Sequence, residues 1–155
     1  SGGGVNALPR LFRRPVILTN VIPLGTGTVY RQNDVLVDVP GRFFPKVFFL
    51  PKKLQLREDN RLMTFRETID TGLNESLRTE IYHSRGVEVI DNTPAEITAV
   101  TREACDSLAG TWQTTEEDEM LQRQFFSIFG LRDPDKTPVA RIGKDFLRQH
   151  RGLLS

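Results

Sequence analysis

The chain has 155 residues, with 21 Lys and Arg against 20 Asp and Glu, for a formal charge of +1. Hydrophobic residues make up 38%, enough at this length to bury the core of an ordinary domain. One cysteine and two histidines exclude a disulfide framework and a zinc-ligand spacing, and no apolar run approaches the ~18 residues that cross a bilayer. The near-zero charge argues against a nucleic-acid partner, so a soluble cytoplasmic domain without a membrane span is expected. The charge is uneven, however. Residues 1–72 carry 11 basic and six acidic side chains and residues 73–155 carry ten and 14, so the first half favours an anionic ligand.

The sequence opens on Ser1-Gly2-Gly3-Gly4 rather than on Met and reads as a piece of a longer chain. Val5, Leu8, Leu11 and Phe12 fall at helical spacing, and Arg14 before Pro15 ends that helix. The run Pro15–Asn20 is apolar and β-branched at its centre, as in a parallel strand covered on both faces. After a turn-rich loop with Pro23, Gly25 and Gly27, Asp34–Val39 and Val47–Leu50 are two further short strands.

Beyond residue 64 helices dominate. Thr64 and Glu67 form a capping-box pattern, Gly72 stops that helix, and a second helix covers Glu75–Tyr82. Gly86 leads into a strand at Val87–Ile90. Asp91-Asn92-Thr93-Pro94 then starts a helix to Leu108, with Ile97, Val100, Ala104 and Leu108 on its apolar face and Gly110 closing it. Helices at Thr115–Phe129 and Arg141–Gln149 follow. Alternation of this kind predicts an α/β layered domain.

Candidate chemistry is sparse. A glycine run opening a helix lets backbone N–H groups approach a phosphate, which points to Ser1, Gly2, Gly3 and Gly4; the same four residues also read as a linker. Asn20 ends the clearest strand, where open parallel sheets bind ligands, and reads equally as a turn cap. Lys52 and Lys53 follow the Val47–Leu50 strand and either meet phosphate or are solvated. Arg66 sits at the positive end of its helix, which suggests a partner in Glu67, Asp70 or a ligand. His83 and His150 have no identifiable catalytic neighbour, Cys105 reads as a small packing residue, and the Phe125–Phe129 cluster with Trp112 reads as a helix docked on the core. No metal site and no catalytic dyad is visible.

Several stretches occur together in a telling order: Ser1–Asn6, Arg14–Asn20, Pro51–Lys53, Leu62–Glu67, Val89–Ile97 and Ala140–Leu147. Over nearly the whole chain they resemble the C-terminal part of a family of bacterial glycosyltransferases associated with surface-polysaccharide synthesis. More distantly, Ser-Gly-Gly, a helix and Pro-Val are similar to the nucleotide-sugar half of GT-B type transferases and of non-hydrolysing sugar-nucleotide 2-epimerases. The resemblance implies a Rossmann-like layered domain over residues 1–110, with a mainly parallel sheet, and a helical C-terminal extension over residues 111–155.

By function, the resemblance implies a nucleotide-diphosphate sugar donor held by Ser1, Gly3 and Gly4 with Asn6 just inside the helix. A glycan or related acceptor would meet a missing N-terminal domain, and no cofactor or metal is required. Where such enzymes often carry a carboxylate on this helix, Ala7 and Leu8 stand here, which weakens the epimerase alternative. A non-catalytic interaction module of the same fold is the other alternative.

Overall fold

The computed structural model describes residues 16–24, 47–129 and 140–155. The expected helix after Val5, the strand at Asp34–Val39, and Ser1–Gly4 with Asn6 lie outside these residues.

The architecture is mixed α/β. Strands β1 (Val16–Val21), β2 (Val47–Pro51) and β6 (Ala140–Ile142) form a parallel sheet in the order β1-β2-β6. All five residues of β2 are buried, as its central position and continuous apolar sequence require. β1 departs from the expected burial on both faces: Ile17 and Leu18 are half-buried and Thr19 is exposed, because among the described residues it pairs on one edge only.

A second sheet is antiparallel and was not legible as such. Strands β3 (Lys53–Leu56), β4 (Arg61–Leu62) and β5 (Val87–Ile90) lie in the order β4-β3-β5. The chain passes from one sheet to the other through Lys52 alone, whose N–H still donates to the Val21 carbonyl at 3.0 Å. Only β5 was anticipated, because Arg57–Asn60 is too polar and β4 too short to show strand periodicity.

Helices α1 (Phe65–Asp70), α2 (Thr79–Ser84), α3 (Pro94–Ala109), α4 (Glu116–Ile128) and α5 (Lys144–Gln149) complete the described fold, with 3₁₀ turns at Leu73–Glu75 and Arg151–Leu154. The expected helix Glu75–Tyr82 is thus a 3₁₀ turn, a break and a shorter helix shifted toward Ser84. The expected helix from Arg141 begins as β6, since Ala140 and Ile142 bury beside β2 and Gly143 separates strand from helix. The buried face of α3 is Glu96, Val100, Glu103 and Ala104; Leu108 is 64% exposed, and Cys105 is exposed rather than packed.

The larger core joins the parallel sheet to α3, α4, α5 and the last 3₁₀ turn. Phe125 is its centre, with ring centroids 5.0 Å from Phe65, 5.8 Å from Phe49 and 5.0 Å from Phe129, so the aromatic cluster does dock α4 on the core. Leu54, Met63, Leu73, Tyr82 and Val87 form a smaller core under the antiparallel sheet.

Candidate functional site

Open parallel sheets bind ligands outside the carboxyl ends of their strands. Here those ends bring together Asn20, Lys52 and Lys53, and the chain leading into α3 packs against them.

Asn20 adopts a left-handed backbone conformation, φ +56°, which Asn tolerates better than most residues. Its N–H donates to Asn92 Oδ1 at 2.6 Å, and the Asn92 N–H donates back to Asn20 Oδ1 at 2.7 Å. Asn92 Nδ2 also donates to the Pro51 carbonyl at 2.8 Å. One buried asparagine therefore fastens the ends of β1 and β2 to the start of α3.

Both lysines face carboxylates. Lys52 Nζ lies 2.6 Å from Asp91 Oδ1, in a pair whose acid is well exposed. Lys53 is 7% exposed, and its Nζ reaches both oxygens of Glu96, itself 5% exposed, at 2.8 and 2.9 Å. His150 Nε2 is 2.7 Å from Glu96 Oε1, and the Thr93 N–H donates to Oε2 at 2.6 Å. Burial pushes the Glu96 carboxyl up, but the bonds from Lys53, Thr93 and His150 outweigh it and hold it at about 2. Glu96 also closes the capping box of α3, so one carboxylate serves helix, sheet and C-terminal turn.

This cluster joins residues that sequence spacing kept apart: Lys53, Glu96 and His150, with Asp91 and Asn92 beside them. The Thr93-x-x-Glu96 capping box was a usable signal for Glu96; nothing in the sequence linked His150 to it. Arg66 stands apart on the exposed face of α1, without a hydrogen bond or ion pair among the described residues. Glu67 is not its partner: Arg61 forks that carboxylate at 2.7 and 3.0 Å, which with the Thr64 N–H bond lowers the Glu67 carboxyl to about 2.

Between the two cores, next to these strand ends, lies a small cleft walled by Val21, Leu24, Lys52, Lys53, Phe65 and Leu153 among others. It encloses about 20 Å³, room for one water molecule, where a typical small-molecule site runs to roughly 300 Å³ or more.

Further clusters are structural. Glu103 accepts from Trp112 Nε1 at 3.2 Å and from the Lys144 N–H at 2.9 Å, and burial raises its carboxyl above the ordinary value despite both bonds. Arg148 forks onto the fully buried Asp118 at 2.7 Å through each of two nitrogens. Among the described residues no group of three His, Cys, Asp or Glu could hold a metal ion, and no helix is long and apolar enough to cross a membrane. Comparison with protein families, curated proteins and solved structures finds no match for the chain.

Proposed function

We propose that the chain is the donor-binding part of a GT-B type glycosyltransferase with a Rossmann-like domain, transferring sugar from a nucleotide-diphosphate sugar to a glycan or related acceptor. The observation that supports this reading is the parallel β1-β2-β6 sheet, at whose carboxyl end Lys52 is bonded to Val21, the residue after Asn20. The resemblance in sequence supports it independently. Backbone N–H groups of Ser1–Gly4 would hold the diphosphate and stabilise it as a leaving group. Lys52 would stand at the same edge, sharing its charge between Asp91 and the phosphates.

A second reading, a module of this fold that binds no nucleotide, is favoured by the small volume of the cleft and by the carboxylate already facing each lysine. Calorimetric titration of the full-length protein with nucleotide-diphosphate sugars separates the two. The transferase reading expects binding that Gly3→Val removes. Unchanged affinity in that variant would discard the Ser1–Gly4 assignment, and no heat with any donor would leave the second reading.

A further inference from the structure

The segment following α5 is held differently from the elements around it. His150 ends α5, with its ring 4.6 Å from that of Phe146 and its Nε2 on Glu96. Leu153 and Leu154 are buried, and Leu153 forms part of the cleft wall. Besides the His150 N–H to the Phe146 carbonyl at 2.9 Å, its polar anchors are the Leu153 N–H to the His150 carbonyl, Ser155 Oγ to the Gly152 carbonyl, Gln124 Nε2 to the Leu154 carbonyl at 3.2 Å, and an exposed pair between Arg151 and Glu117.

We propose that residues 150–154 are a releasable strap, latched by His150 on Glu96, whose displacement opens the Leu153 wall of the cleft. The asymmetry of the Glu96 site carries this inference. If His150 leaves, Glu96 keeps Lys53 on both oxygens and the Thr93 N–H on one, so no buried charge is stranded. Losing Lys53 instead would leave the carboxylate without its ammonium. His150 is thus the partner that can be exchanged for water, helped by a side chain 20% exposed where those of Lys53 and Glu96 are 8% and 4%. Release takes Leu153 and Leu154 off the larger core but leaves the polar contacts between α3 and β3 in place. It also enlarges a cleft that in the closed form admits only a water, so a bulkier ligand at these strand ends requires the open strap.

Thiol labelling of the whole chain tests this. In a Cys105→Ser background, Leu153→Cys buries a thiol under the strap, and Leu147→Cys buries one on α5. We expect a disulfide reagent to modify position 153 at least tenfold faster than position 147. Adding His150→Ala should accelerate labelling at 153 by about a further tenfold and leave 147 unchanged. Equal rates at the two positions, or equal acceleration of both by His150→Ala, would overturn the proposal, because opening would then be global. Amide exchange of the unsubstituted chain gives the same decision if a cysteine variant does not fold. The Leu153 N–H should exchange through an opening that the Gly143 N–H, bonded to the Phe49 carbonyl, does not share; a common opening overturns the strap.

Discussion

Asn20 and Asn92 hold each other by two reciprocal bonds, each backbone N–H donating to the other's side-chain oxygen at 2.6 and 2.7 Å. A sequence separation of 72 positions makes this a long-range clasp, and it closes the carboxyl edge of the parallel sheet. With Asn92 also bonded to the Pro51 carbonyl, β1, β2 and α3 share one buried side chain.

Asn92→Ala strands the Asn20 N–H and the Pro51 carbonyl, and is expected to cost about 2–3 kcal/mol. Asn20→Gly keeps the left-handed conformation and loses one acceptor, for about 1 kcal/mol. Urea unfolding of both variants checks the ranking. Equal losses would mean that the Pro51 bond contributes nothing.

Gly143 lies where a Cβ would come within 2.9 Å of Leu50 Cδ2 and 3.3 Å of Val100 Cγ2. Both contacts are side-chain atoms, so Gly143→Ala displaces Leu50 rather than breaking the backbone, at a cost of about 1–2 kcal/mol. Leu50→Val removes part of the obstruction. A double-mutant cycle with these two changes should therefore give a favourable coupling of at least about 0.5 kcal/mol, and strict additivity would refute the clash.

Lys52 and Lys53 are adjacent and unequal. Lys52 pairs with an exposed acid, so Lys52→Met should change stability by less than about 1 kcal/mol. On the donor-binding reading it should nevertheless weaken nucleotide-diphosphate sugar binding several-fold, measured by the same calorimetry. A variant that binds donors normally removes Lys52 from the phosphate edge.

How much of this was legible beforehand depended on the range of the interaction. The capping boxes at Thr64 and Thr93 and the αL glycines at Gly72 and Gly110 are local, and the helices they bound are near the expected places. The continuous apolar run Val47–Leu50 announced a buried strand, and β2 is one. What escaped was non-local. β6 has three residues and is a strand only because β2 lies beside it. Glu96 and Glu103 occupy the buried face of α3 because Lys53, His150, Trp112 and the Lys144 N–H come to meet them, and no helical periodicity encodes that. The three capping-box acids Glu67, Glu96 and Asp118 each also hold a cation from outside their helix, a second use invisible in the motif.

Glu96 should give the protein a marked acid sensitivity. Its carboxyl titrates at about 2 in the folded chain and near 4.5 when unfolded, so the ionised form favours folding. The contribution is complete above about pH 4.5 and is lost as pH falls through about 2; at 1.36 kcal/mol per unit it amounts to about 3 kcal/mol. Lys53→Met takes away the main bond that lowers this carboxyl and its ammonium partner, leaving burial opposed only by the Thr93 and His150 bonds. The variant should lose about 3–5 kcal/mol at pH 7 and recover part of that difference from the native chain on acidification toward pH 4, as the stranded carboxyl takes up a proton. Stability measured by urea unfolding between pH 3 and pH 8 checks the sign. A gap between the two chains that stays constant over that range would show that Lys53 does not set the Glu96 protonation.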